Sequence, residues 1–136
     1  MRALVVDDEM TSRIVLQDTL ARYGDVDTSE DGADAVEKCR RALEEGLPYD
    51  VICMDIMMPG MTGLEALQTI RREEERSGRP RPGAAKVIMI SAKDDSESIK
   101  QSFQHLCDAY LTKPLDLTDF LNILLCLYPI PEPAGT

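Results

Sequence analysis

The chain has 136 residues, of which 43% are hydrophobic and 29% charged, and its formal charge at pH 7 is −10. This length suits one compact domain, and the composition is too apolar for a disordered protein. The acidic balance argues against direct nucleic-acid binding, because phosphate backbones are bound through clustered Lys and Arg.

Five short apolar runs have the length of strands, and segments with helical periodicity separate them. The predicted strands are 3–6, a weaker one at 25–28, 51–54, 87–90 and 109–111. Between them apolar residues recur at intervals of three and four, most clearly from Leu117 to Tyr128. Runs that are apolar at every position predict strands buried on both faces. The order βαβαβαβαβα therefore predicts an α/β fold, a doubly wound five-stranded parallel sheet with helices on both faces.

Capping residues support these boundaries. Thr62 with Glu65 predicts a capping box at the third helix, Asp94 with Glu97 predicts a similar cap at the fourth, and Asp116 predicts a cap at the fifth. We therefore expect helices to begin at these three positions.

The segment 73–85 is rich in Pro, Gly and charged residues, and predicts an exposed loop after the third helix. We interpret the neighbouring basic residues as a solvated face on which Arg71 could pair with Glu75, four positions away. A single domain is expected to span 1–128, with a short flexible tail over 129–136.

The sequence has no recognisable targeting or membrane-spanning segment. Met1 leads into a run of only four apolar residues, and no stretch approaches the ~20 apolar residues of a membrane helix. We therefore expect a cytoplasmic protein without membrane contacts. The cysteines form no CxxC pair, which favours reduced, buried thiols over a zinc site; they are Cys39, Cys53, Cys107 and Cys126.

Polar side chains stand at or just beyond the ends of four predicted strands. Asp7 and Asp8 follow the first, Asp55 ends the third, Ser91 follows the fourth and Lys113 follows the fifth. The carboxyl ends of parallel strands share one edge, where open α/β proteins bind ligands. Carboxylates that meet there repel unless a cation lies between them, and oxygen ligands suit Mg²⁺. The pattern predicts a magnesium-dependent phosphoryl-acceptor site, with Lys113 near a phosphoryl oxygen.

Each of these residues alone has a commoner explanation. An Asp-Asp pair after a strand is usually a turn or a helix cap, Lys113 alone is a solvated loop residue, Ser91 a turn residue and Tyr110 a half-buried core ring. Their coincidence at the ends of one predicted sheet favours a functional site.

Taken together, these motifs resemble those of the receiver domain of two-component response regulators, the CheY-like superfamily. The motifs are, in order, Val-Val-Asp7-Asp8-Glu, Asp55-Ile-Met-Met-Pro59-Gly-Met-Thr-Gly63, Ile-Ser91-Ala92 and Tyr110-Leu-Thr-Lys113-Pro114. The resemblance spans essentially the whole chain. It implies a flavodoxin-like, CheY-like (βα)5 fold and a stand-alone, single-domain response regulator.

The resemblance also implies a role for each site residue. Asp55 would accept a phosphoryl group from a phosphohistidine of a sensor histidine kinase or phosphotransfer protein, and Lys113 and Ser91 would contact the phosphoryl oxygens. The chain would be a phospho-acceptor and not a classical enzyme, able to assist its own phosphorylation and dephosphorylation. The implied ligands of Mg²⁺ (or Mn²⁺) are Asp8, Asp55, the backbone carbonyl of Met57 and, mainly through water, Asp7.

A switch follows from the same resemblance. After phosphorylation, Ser91 would move toward the phosphoryl group and Tyr110 would turn inward, which changes the face of the fourth helix, fifth strand and fifth helix for a downstream protein. The Lys113-Pro114 peptide would be cis, and the protein a monomer or a weak phosphorylation-dependent dimer. Leu106 stands where the family commonly has Gly, so we expect a different exit from the fourth helix.

Two other classes of function stay open. An aspartyl-phosphate phosphatase or phosphotransferase often has its nucleophile and second carboxylate two residues apart on the first strand, a spacing that Asp7-Asp8 lacks. A flavodoxin-like cofactor carrier needs a hydroxyl- and glycine-rich phosphate loop after that strand, where Asp7-Asp8-Glu9 would repel a phosphate. A serine hydrolase is weaker still, because G-x-S-x-G is absent and His105 is the only histidine.

Overall fold

The structure is a computed structural model, and it describes residues 1–79, 84–92, 95, 97, 101 and 105–129. Within these residues the chain forms five strands and four helices. The strands β1 to β5 are Arg2–Val6, Asp25–Ser29, Val51–Asp55, Lys86–Ser91 and Ala109–Thr112. The helices α1 to α4 are Met10–Ala21, Gly32–Glu44, Gly63–Arg76 and Leu117–Leu127. The last helix, α4, is the one that the sequence predicts as the fifth, and the predicted fourth helix lies largely outside the described residues.

All five strands are parallel and form one sheet in the order β2-β1-β3-β4-β5. The central strand β3 is buried at every position. Each observed strand lies within two residues of its predicted bounds, because the apolar runs that identify the strands are the residues that the helices cover. The predicted doubly wound parallel sheet is confirmed.

Alternate residues of each strand enter two separate cores, one on either face of the sheet. In β1, Leu4 and Val6 pack with α2 and α3, whereas Ala3 and Val5 pack with α1 and α4. This follows from the two-residue period of a strand, whose successive side chains point to opposite faces. The helices therefore cover both faces, as predicted, and leave the carboxyl edge of the sheet for loops.

Two of the three predicted helix caps are confirmed. Thr62 forms a full capping box with Glu65 at the start of α3. Asp116 accepts hydrogen bonds from the backbone N–H groups of Thr118 and Asp119, at 2.8 and 3.2 Å, at the start of α4. The third predicted cap, Asp94, lies outside the described residues.

The prediction of a solvated face is confirmed at Arg72 and Arg76, which are exposed, but it is wrong at Arg71. Arg71 is only 7% exposed, and it pairs with Glu74 at 2.9 Å instead of Glu75. It lies four residues after Leu67, on the stripe of α3 that faces the core. The guanidinium is tolerated there because it also donates to the carbonyls of Leu106 and Ala85.

The prediction of an exposed loop over 73–85 is also wrong in part. Helix α3 continues to Arg76, and Glu74 and Ala85 are buried. The carboxylate of Glu74 accepts the backbone N–H of Ala85 at 2.8 Å, which satisfies both buried polar groups. Residues 80–83 lie outside the described part of the chain.

The cysteine prediction holds for three of the four thiols. Cys39, Cys53 and Cys107 are buried and Cys126 is exposed, and none of the four forms a disulfide. Cys126 lies two positions after Leu124, whose side chain packs against the sheet, so the thiol points away from the core. The expectation of a buried thiol at this position is wrong.

Leu106 does not adopt the left-handed conformation that a glycine would favour there. Among the described residues only glycines have positive φ, and Leu106 accepts two hydrogen bonds on its carbonyl from Arg71. The predicted tail lies outside the described residues from 130 onward, and the boundary at 128 stays a prediction. In the part of the chain that the structure describes, every helix is too short or too polar to cross a bilayer.

Candidate functional site

Three carboxylates meet at the carboxyl edge of the sheet. Asp7 follows β1 directly and Asp55 is the last residue of β3, and these two strands are neighbours in register at Val6 and Met54. Together with Asp8, they offer carboxylate oxygens that lie within 4.8 Å of one another. The fold thus brings together the three acidic residues that the sequence predicts as metal ligands.

Lys113 reaches the same cluster from the far side of β4. Its ammonium lies 3.3 Å from Asp55 Oδ2 and 3.4 Å from Asp7 Oδ2. The main chain of Lys113 is anchored by a 2.8 Å hydrogen bond from its N–H to the carbonyl of Ser91, and the predicted cis peptide to Pro114 is confirmed. One ammonium therefore faces three carboxylates, which leaves a net negative charge at this edge.

Burial strengthens the repulsion among these groups. Asp7 is 1% and Asp55 is 7% exposed, whereas Asp8 is exposed. Burial raises the pKa of Asp55 to about 6, and the charge of Asp7 adds to this, while Lys113 opposes it. Burial would lower the pKa of Lys113, but Asp55 and Asp7 outweigh it and raise that pKa above its usual value. A divalent cation would relieve the repulsion, so the cluster fits Mg²⁺.

The loop after β3 holds the carboxylate of Asp55 from the other side. The backbone N–H of Met57 donates to Asp55 Oδ1 at 3.3 Å. Gly63 begins α3 close to this loop: a Cβ at Gly63 would lie 2.6 Å from the carbonyl oxygen of Asp55, so only glycine fits without a shift of the backbone. The proposed role of the Met57 carbonyl as a metal ligand stays a prediction.

The two predicted switch residues lie in different environments. Ser91 is fully buried and is the last residue of β4, which ends one position later than predicted, and its hydroxyl donates to the carbonyl of Leu111 at 3.4 Å. Tyr110, on β5, is 44% exposed. The hydroxyl is therefore engaged with β5, and the tyrosine side chain lies largely outside the core.

One residue at the site was not singled out by the sequence. The guanidinium of Arg13 donates to the main-chain carbonyl of Asp7 at 2.9 Å. The sequence feature that could have identified Arg13 is an arginine in the first turn of the helix after an acidic pair. Arginine is too common on helix surfaces for this feature to be distinctive.

Comparison with known proteins assigns the family. Residues 3–125 match the family described as "Response regulator receiver domain". The chain is 38% identical over 117 residues to the chemotaxis protein CheY of Treponema pallidum, covering 85% of this chain and 74% of that protein. It is 33% identical over 126 residues to probable histidine kinase 2 of Oryza sativa, again over 85% of this chain but only 12% of the kinase.

A solved structure agrees with these relatives. The receiver domain of the histidine kinase CKI1 from Arabidopsis thaliana, crystallised with Mg²⁺ and BeF₃⁻, superimposes with a TM-score of 0.79 and 30% identity, covering 93% of this chain and 88% of that domain. Because the family match extends over most of the chain and the same fold recurs in these relatives, the chain belongs to the response regulator receiver domain family of two-component signalling.

Proposed function

We propose that this chain is a phosphoryl acceptor in a two-component phosphorelay, with Asp55 as the acceptor. The main support for the proposal is that Asp55 lies 3.3 Å from the ammonium of Lys113 and offers a carboxylate oxygen within 4.8 Å of those of Asp7 and Asp8. In the reaction a carboxylate oxygen of Asp55 bonds to phosphorus as the P–N bond of a phosphohistidine breaks. The imidazole leaves with the electron pair, and an acyl phosphate remains.

The chain's own residues supply position and charge for this transfer. The N–H of Met57 orients the carboxylate of Asp55, and Lys113 is close enough to follow a phosphoryl oxygen as it arrives. Ser91, buried beside the site, would contact another phosphoryl oxygen once its bond to Leu111 is released. This division of labour agrees with phosphoryl transfer in general, where catalysis is mainly positioning and charge stabilisation.

The acidic cluster would hold Mg²⁺ or Mn²⁺ when the site is loaded. Asp8, Asp55 and the carbonyl of Met57 would be direct ligands, and Asp7 would act mainly through water. The ion would neutralise charge on the phosphoryl oxygens during transfer. The support is the set of hard oxygen donors itself and the Mg²⁺ and BeF₃⁻ in the related CKI1 receiver structure.

The donor would be a sensor histidine kinase or a phosphotransfer protein. A cavity of about 310 Å³ opens beside the site, with Asp7 and Lys113 in its wall and with Val15 and Leu115 as apolar lining. Exposed Met10, on α1, extends the apolar surface near this region. A protein that brings a phosphohistidine to Asp55 would cover this cavity, so α1 and the loop after β5 would form part of its docking surface.

Output would be a change of protein contacts. Phosphorylation of Asp55 would draw Ser91 toward the phosphoryl group and let Tyr110 turn inward from its present exposed position. The face formed by the predicted fourth helix, β5 and α4 would then change its affinity for a downstream protein. The protein would be a monomer or a weak phosphorylation-dependent dimer. We further propose that the chain acts in the cytoplasm.

Phosphotransfer profiling tests the proposal and identifies the donor. Radiolabelled histidine kinases and phosphotransfer proteins of the host are mixed with the wild-type chain and with Asp55→Asn. The proposal expects label to move rapidly to the wild type from one or a few donors, and not to the variant. Steady turnover of an added phosphoester, lost in Asp55→Asn, would favour a phosphatase instead. A bound flavin in the purified protein would favour the cofactor carrier.

A further inference from the structure

The main chain of Asp7 lies just beyond the last paired residue of β1. The β1 ladder ends at Val6, which is in register with Ser29 on one side and Met54 on the other. The N–H of Asp7 still donates to the carbonyl of Ser29 at 3.1 Å. Its own carbonyl accepts from Arg13 Nη1 at 2.9 Å, so the side chain of Arg13 takes the place of a further strand partner for this buried residue.

This contact fixes the peptide that joins the two adjacent acidic residues. A peptide unit is planar, so the carbonyl of Asp7 and the N–H of Asp8 share one plane and turn together. The side chain of Asp7 is held separately, because its Oδ1 accepts the N–H of Glu9 at 2.9 Å. Asp8 is exposed, and its position relative to Asp7 depends on this peptide.

The side chain of Arg13 is largely buried and has two polar contacts. Its side chain is 14% exposed and comes from the first turn of α1, and a second guanidinium nitrogen lies 3.5 Å from Glu30, just after β2. Glu30 is 79% exposed, and such surface pairs contribute little. The hydrogen bond to the carbonyl of Asp7 has a charged donor and lies at a buried residue, so it is the stronger of the two contacts that hold the Arg13 side chain.

We propose that Arg13 is a positioning residue for the divalent-cation site: it holds the Asp7-Asp8 peptide in the orientation that lets the carboxylate of Asp8 join those of Asp7 and Asp55, without touching the ion. The inference rests on the proposed function, in which this cluster binds Mg²⁺. Groups that orient metal ligands in this indirect way typically change metal affinity by about 10- to 100-fold when they are replaced.

The test is a titration of the protein with MgCl₂ alone, in which binding is measured by calorimetry and by the amide NMR shifts of Asp8 and Met57. Arg13→Met keeps the apolar stem of the side chain and removes the donors, and Mg²⁺ should bind roughly tenfold more weakly. Arg13→Lys keeps a charged donor and should recover part of the affinity. If the methionine variant does not fold, Arg13→Gln replaces it, because its shorter side chain does not reach the carbonyl.

Two control variants separate positioning from general effects of charge or helix stability. Glu30→Gln removes the ion-pair partner of Arg13 but leaves its bond to Asp7, and Arg22→Met makes the same charge change at an exposed position just after α1. Both should bind Mg²⁺ as the wild type does. A wild type that binds no Mg²⁺ contradicts the proposed function. Wild-type binding with equal affinity in the Arg13→Met or Arg13→Gln variant overturns only the role of Arg13.

Discussion

Lys113 Nζ lies 3.3 Å from Asp55 Oδ2, although the two residues are 58 positions apart in the chain. Asp55 ends β3 and Lys113 follows β5, so the contact extends past the end of β4, which lies between them in the sheet. It exists because parallel strands present their carboxyl ends at one edge. The same ammonium also lies 3.4 Å from Asp7, so it is shared between two buried carboxylates.

Loss of this ammonium should slow phosphorylation more than it disturbs the fold. Replacing one preorganised donor to a developing charge typically costs about 10²- to 10³-fold in rate, so Lys113→Met should slow formation of the acyl phosphate from acetyl phosphate by roughly 100-fold. The rate is followed by intact-mass analysis over time. Lys86→Met, at the opposite end of β4, is the control and should react as the wild type does. Equal rates for both variants would exclude a role for Lys113 in the transfer.

The raised pKa of Asp55 should make the free energy of unfolding of the metal-free protein depend on pH. Burial raises this pKa from 3.8 to about 6, so the folded protein binds a proton at Asp55 more tightly than the unfolded chain does. Protonation therefore stabilises the fold, and the ionised carboxyl destabilises it above pH 6 by an amount on the order of 3 kcal/mol. With EDTA present, Asp55→Asn should be more stable than the wild type at pH 7 and should lose that advantage toward pH 4.

Urea unfolding of both proteins at a series of pH values measures this difference. The gap in the free energy of unfolding should open between pH 4 and pH 7. A gap that does not change with pH would show that the pKa of Asp55 is not raised in the metal-free protein.

Mg²⁺ should stabilise the protein through the acidic cluster. A ligand that binds only the folded state adds about 2.7 kcal/mol at a concentration 100 times its dissociation constant. MgCl₂ should therefore raise the unfolding temperature of the wild type, and Asp8→Asn should reduce this rise. Asp18→Asn makes the same change at an exposed position later in α1 and serves as the control. An equal rise in all three proteins would place the bound ion elsewhere.

The network around Arg71 predicts a purely structural effect. Besides Glu74, the guanidinium lies 3.3 Å from Asp108, so Arg71→Met would remove an ion pair from each of two carboxylates. Removing one member of a buried ion pair typically costs about 3 to 5 kcal/mol, and the loss should appear in urea unfolding. Arg72→Met, at the exposed neighbouring position, should cost less than about 0.5 kcal/mol. Similar values for the two variants would contradict the buried network.

The sheet and the acidic cluster were predictable from the sequence because both depend on local patterns. Apolar runs identify the strands, and a parallel sheet brings Asp7 and Asp55 to one edge whatever the details of the loops. The caps at Thr62 and Asp116 were predictable for the same reason, since each involves residues only two or three positions apart.

Contacts between distant segments were not predictable in this way. Arginine is usually a surface residue. The burial of Arg71 depends on hydrogen bonds to the carbonyls of Ala85 and Leu106, which the tertiary fold brings close to its guanidinium. Arg13 is similar, because its partner is a main-chain carbonyl that no sequence pattern reveals. Cys126 lies within an apolar run, and only the orientation of α4 against the sheet shows that its thiol is exposed.

We expect Asp55 alone to accept a phosphoryl group in the presence of Mg²⁺. Intact-mass analysis of the wild type and of Asp55→Asn, after incubation with acetyl phosphate and MgCl₂, measures this. A single phosphoryl adduct should form on the wild type, dependent on Mg²⁺, and none on the variant. No adduct on the folded wild type, or an equal adduct on Asp55→Asn, would contradict it.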